Sequence, residues 1–159
     1  MTVALEALLA RTVQIEAPVP DWRLTLMPHI LIIEDEPSTS WALAEGLSDD
    51  GFSIDTFSTA EAAWSWLQRH ESDLVISDLR LPGMSGLDFA RKLARGRRAL
   101  PVIILTAYGS PETLRALAAA GVFECFPKPF AMDALRHAVH RSLQRAADRR
   151  DARPHRKAA

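Results

Sequence analysis

Short apolar runs punctuate the chain, and each leads into a stretch with helical spacing. "ILII" (30–33) precedes "STSWALAEGLSDDG", where Trp41, Leu43 and Leu47 mark an apolar helix face and Gly51 a stop. "FSIDTF" (52–57) alternates as a half-buried strand does. "TAEAAWSWLQRH" (59–70) reads as a helix, with Thr59 as N-cap and Ala63, Trp66 and Leu67 facing inward. "LVIS" (74–77) is another uninterrupted run, ended by Asp78 and the turn "LPGMSG". A helix over 85–95, a strand "PVIIL" (101–105), a helix over 111–120, a strand "VFECF" (122–126) and a helix over 131–147 complete the pattern.

Five strands thus alternate with five helices. Strands that are apolar throughout belong in a parallel sheet covered on both faces. The expected fold is a doubly wound α/β sandwich, whose ligands sit at the carboxyl ends of the strands. Residues 1–26 lie outside the pattern as an N-terminal extension or linker, residues 27–147 form the domain, and residues 148–159 form a flexible polar tail. That tail is too short for a second folded domain, so a stand-alone domain is expected.

Composition narrows the function without naming it. The chain has 159 residues, 48% hydrophobic and 25% charged, as a soluble globular domain does. A net charge of −1 gives no field for nucleic acid or an acidic surface. No apolar run approaches the roughly 20 residues that span a bilayer, and the N-terminus lacks the basic leader of a signal peptide. Cys125 is the single cysteine, which excludes an internal disulfide. A cytoplasmic protein is expected.

The chemistry gathers where strands end. The first strand runs into Glu34, Asp35 and Glu36, a costly row of like charges unless a cation sits there. The third ends in Asp78, the fourth in Thr106, and the fifth is followed by Lys128 and Pro129. A doubly wound sheet brings these ends to one edge. Phosphoryl transfer to a carboxylate needs such a set. Asp78 is the nucleophile and a metal ligand, and Glu34 and Asp35 hold Mg²⁺, which prefers oxygen ligands. Lys128 and Thr106 stabilise the phosphoryl oxygens.

"ILIIEDEP", "LVISDLRLPGMSGLDF", "VIILTAYGS" and "CFPKPF" together resemble the four signature segments of the receiver domain of bacterial two-component response regulators, over roughly residues 28–145. The resemblance implies a flavodoxin-like sheet with strand order 2-1-3-4-5. It implies that Asp78 is the phosphoacceptor for a sensor histidine kinase or a histidine phosphotransfer protein. Arg80 takes the position whose backbone carbonyl completes the metal shell. Ala107 matches a small residue that leaves the site open, and the Lys128–Pro129 bond is expected to be cis. Output would pass to a downstream protein target, with a homodimer as one form.

The match departs at Cys125, where the family carries an aromatic residue whose rotation reports phosphorylation. Strand alternation turns Phe126 to the other face, while Phe123 shares the parity of Cys125. Cys125 itself reads as an inert thiol. Trp64 and Trp66 cannot both be core on one helix, so one is expected to be exposed. His137 and His140 read as a solvated face, not a metal pair. Arg141, Arg145, Arg149, Arg150, Arg153 and Arg156 make a basic stripe that Asp148 and Asp151 dilute, and nucleic-acid binding is not expected.

Two other readings compete with a phosphorylated regulator: a receiver-like interaction module that never carries phosphate, and a hydrolase of the aspartyl-phosphate type. The second needs an acid/base Asp two residues after the nucleophile, where this chain has Arg80. No turnover enzyme is expected.

Overall fold

A computed structural model describes residues 27–96, 100–107 and 109–151. The expected extension over 1–26, and the tail beyond residue 151, lie outside the described residues. The element order is β1 (His29–Ile33), α1 (Pro37–Ser48), β2 (Ser53–Phe57), α2 (Ala60–Leu67), β3 (Leu74–Asp78), α3 (Gly86–Arg95), β4 (Val102–Thr106), α4 (Pro111–Ala119), β5 (Glu124–Pro127) and α5 (Met132–Asp151). All strand pairs are parallel, in the order β2-β1-β3-β4-β5. The doubly wound sandwich and its strand order are as expected.

The continuous apolar strands have a direct explanation in the two layers. Successive side chains alternate across the sheet. Ile30 and Ile32 of β1 join Leu43 and Leu47 of α1 and Leu135 and Val139 of α5 on one face. Leu31 and Ile33 join Ala60 and Ala63 of α2, Phe89 and Leu93 of α3, and Leu117 of α4 on the other. Both faces of β1, β3 and β4 are covered, so their interiors are apolar, and the buried Ser77 near the end of β3 is accommodated by donating its hydroxyl to the Asp78 carbonyl. Edge strand β2 is half solvated, and the expected alternation is not kept: Ile54 and Phe57 are its partly buried apolar residues, one packed in each layer.

Helix starts follow local chemistry. Thr59, Ser85 and Ser110 cap α2, α3 and α4 by accepting hydrogen bonds from the backbone N–H groups three residues on. Pro37 and Pro111 occupy first-turn positions where a missing N–H costs nothing.

Several expectations need correction. Trp41 is 67% exposed, because α1 buries only the Leu43–Leu47 stripe and Trp41 lies off it. Neither Trp64 nor Trp66 is exposed. Trp64 packs edge-on against Phe89 with Lys92 over its ring, and Trp66 stacks between His29 and His70. Phe123 packs with the opposite layer from Cys125, because regular strand geometry begins only at Glu124 and parity does not extend before it. The last helix continues to Asp151 rather than stopping at 147, into the stretch expected as tail.

Candidate functional site at the carboxyl edge of the sheet

Register assembles the site. Ile33 lies opposite Ser77, so one step further Glu34 and Asp78 stand side by side on adjacent strands. Asp78 lies opposite Leu105, next to Thr106, and Thr106 lies opposite Pro127, next to Lys128. Neighbouring strands are about 4.8 Å apart, so three registers suffice to bring residues from four segments into contact. Hydrogen bonds beyond the strand ends lock this arrangement. Leu79 donates to the Leu105 carbonyl (2.8 Å) and Lys128 to the Thr106 carbonyl (2.7 Å).

The Lys128 ammonium donates to Asp78 Oδ2 at 2.6 Å and to Glu34 Oε2 at 2.8 Å. Burial alone would push this ammonium down. The hydrogen bonds and charges of Asp78 and Glu34 outweigh burial and hold it above the ordinary lysine value. Asp78 Oδ1 accepts from the Arg80 N–H at 2.8 Å. Thr106 is buried beside them. Ala107, the residue after Thr106, is exposed. The Lys128–Pro129 peptide is cis.

The three opening carboxylates have three different fates. Glu34 is buried, held by Lys128 and by the Glu36 N–H (3.2 Å). Asp35 faces solvent, with no hydrogen-bond or ion-pair partner among the described residues. Glu36 turns away to cap α1, accepting from the Ser38 and Thr39 N–H groups. Hydrogen bonds from Thr39 and Ser38 hold its pKa down at about 2. Mutual repulsion is thereby divided among an ammonium, solvent and a helix start.

The donor set fits a hard divalent cation. Carboxylate oxygens of Glu34, Asp35 and Asp78 all lie within 4.8 Å of one another. One ammonium faces three carboxylates, which leaves a formal negative excess for a cation to offset. All-oxygen ligation with an exposed side open to water suits Mg²⁺.

Other candidates separate from the site. His140 turns to Asp50 (3.2 Å) and packs on Phe52, while His137 is exposed, so the two histidines share no ligand position. Arg141 pairs with Glu124 at 2.6 Å. Cys125 is half-buried, and burial pushes its thiol above the ordinary value, away from the reactive thiolate. Sequence reasoning overlooked the Glu36 cap, which "EPST" signals through Pro at the first helical position.

Comparison with known proteins agrees with this geometry. Residues 30–140 match the response regulator receiver domain family. The transcriptional regulatory protein GlrR of Escherichia coli is 35% identical over 125 residues, covering 79% of this chain and 28% of that protein. The phosphate regulon transcriptional regulatory protein PhoB of Rhizobium meliloti is 37% identical over 124 residues, 76% of this chain and 54% of that protein. The chain therefore spans only a quarter to a half of these relatives' length. Among solved structures, the signal receiver domain of a putative LuxO repressor protein from Vibrio parahaemolyticus superposes with a TM-score of 0.77 at 30% identity, over 82% of this chain and all of that one. The chemotaxis response regulator CheY4 of Vibrio cholerae gives 0.68 at 26% identity, over 73% and 98%. With an acidic cluster, a lysine and a hydroxyl gathered at the family's expected edge, this chain belongs to the receiver domain family of two-component response regulators.

Proposed function

We propose that the protein is a phosphoacceptor in two-component signalling or a phosphorelay, modified on Asp78 by a histidine kinase or a histidine phosphotransfer protein, with Mg²⁺. The observation that carries this reading is the Asp78 carboxylate, held by Lys128 at 2.6 Å and by the Arg80 N–H at 2.8 Å within the acidic cluster.

An Asp78 oxygen attacks phosphorus, the phosphorus–nitrogen bond of the donor phosphohistidine breaks, and the imidazole leaves with its electron pair and takes up a proton. Mg²⁺ held by Glu34, Asp35, Asp78 and the Arg80 carbonyl would offset the charge of an anion approaching an anion. Lys128 carries a positive charge to one phosphoryl oxygen, and the Thr106 hydroxyl donates to another. The chain has Arg80 rather than a second carboxylic acid two positions after the acceptor, which disfavours a turnover hydrolase and leaves a protein that assists only its own phosphorylation and dephosphorylation. Output passes by protein contacts through α4 and β5, repacked around Cys125 instead of an aromatic side chain. Cytoplasmic location fits such a partner, and no helix among the described residues is long and apolar enough to cross a membrane.

The test is incubation with a low-molecular-weight acyl phosphate and Mg²⁺, followed by intact mass. Wild type should gain one phosphoryl group and Asp78→Asn none. Equal gain in both, or none in wild type, would sink the reading. Cys125 at the usual aromatic position favours one rival, a module that never carries phosphate, and that rival predicts no gain in wild type.

A further inference from the structure

The loop between β3 and α3 carries Arg80, and it is clamped at two points. At its near end, Gly86 N donates to the Leu79 carbonyl (3.0 Å), and a Cβ on Gly86 would overlap the Asp78 carbonyl. That carbonyl also accepts from the Ser77 hydroxyl at 2.8 Å. These contacts hold the base of the loop against the acceptor strand. The far end is held from a different helix. Glu61, in the first turn of α2, accepts from the Met84 N–H through Oε1 at 2.7 Å.

Gly83 makes that reach possible. Its φ of +75° is a conformation L side chains rarely adopt, and a Cβ there would lie 2.5 Å from Glu61 Oε1. The carboxylate thus occupies the space that a side chain on residue 83 would take. Leu79, Leu81 and Met84 rest on the core layer beneath, so the loop is pressed down from its own side chains and tied at the top by Glu61.

We infer that Glu61 is a positioning residue for the acceptor site: by holding Met84, it fixes the loop whose Arg80 backbone contacts Asp78 and lines the cation position. This rests on the acceptor reading above. Glu61 touches none of the reacting groups; it acts through the loop. A carboxylate in a helix's first turn also favours the helix dipole, so a purely local role for Glu61 is the rival explanation.

The substitutions Glu61→Gln and Glu61→Ala separate the two. Glutamine loses the charge but keeps an oxygen to accept from Met84; alanine loses both. Using the full chain and a low-molecular-weight acyl phosphate, the rate of Asp78 phosphorylation is followed against Mg²⁺ concentration. Glu61→Ala should raise the half-saturating Mg²⁺ about fivefold, the weight of one lost hydrogen bond, while Glu61→Gln stays within about twofold of wild type. Met84 amide exchange, read by NMR without donor or metal, should quicken in Glu61→Ala alone. Unchanged half-saturation and exchange in Glu61→Ala, or equal losses in both variants, would overturn the inference. Absence of phosphorylation in wild type would instead defeat the acceptor reading, and the exchange measurement would still decide whether Glu61 holds the loop.

Discussion

The acidic edge around Asp78 and the β5–α4 side of the same sheet lie a strand or two apart and are built on opposite terms. At the acidic edge, Glu34, Ser77 and Thr106 are buried polar groups, and strand-end hydrogen bonds fix their backbone. On the other side, α4 buries only Leu117, leaves Leu114 46% exposed, and faces a half-buried Cys125. Chemistry on an anionic centre gains from groups already in place, since nothing then reorganises during transfer. Sparse burial has the reverse consequence, an element whose displacement costs little, which is what the proposed output through α4 and β5 would need. One sheet presents both because its strand ends are tied to one another by hydrogen bonds, while its covering helices bury very different numbers of side chains.

The strongest challenge to the rigid edge is Lys128→Ala. It removes the counter-charge of a buried Glu34, which should cost about 3 kcal/mol, the lower end for stranding a buried charge. Denaturant unfolding without metal measures this. The same variant should slow phosphorylation by a factor of about 10²–10³. Wild-type stability and rate together would show that Lys128 is not what balances the carboxylates.

Gly83→Ala should have the next largest effect. Left-handed backbone costs a non-glycine residue about 1–2 kcal/mol, and the added methyl would also displace Glu61. Thermal unfolding and the Mg²⁺ dependence of phosphorylation should shift together. A change in stability alone would separate the loop from the site.

On the sparsely buried side, Cys125→Tyr should leave the phosphorylation rate within about twofold, since the reacting groups are untouched. The phosphorylation-dependent NMR shifts of α4 and β5 should change in size or direction. Unaltered shifts would deny this position any part in the switch.

The smallest effect concerns acid. Glu36 has its folded pKa lowered from 4.5 to about 2, so the stability it contributes is present above the unfolded value and is lost as pH falls through the folded one. Between about pH 4.5 and 2, Glu36→Gln should therefore show a shallower fall in melting temperature than wild type. Parallel melting curves across that range would remove Glu36 as a source of acid sensitivity.

How much of this was legible in residues alone differs by region. The acidic edge was, because uninterrupted apolar runs announce strands buried on both faces, and the polar residues that close such a run stand at the strand end or within a residue or two of it. Glu34, Asp78, Thr106 and Lys128 could thus be placed together from one dimension. The covering helices were less readable. Trp41 fits an apolar pattern yet lies in solvent, and Trp66 stacks not only on its helical neighbour His70 but on His29, a pairing no spacing implies.

Sequence by itself determined the alternation of strands and helices, the parallel sheet and the residues at its carboxyl edge, because these follow from side-chain period and from the need to keep polar groups out of a two-sided core. Tertiary structure alone decided how the three opening carboxylates divide, how Glu61 reaches Met84 across 23 positions, and how thinly α4 is held. Those outcomes depend on distances between elements, and a periodic pattern along one chain carries no such distances.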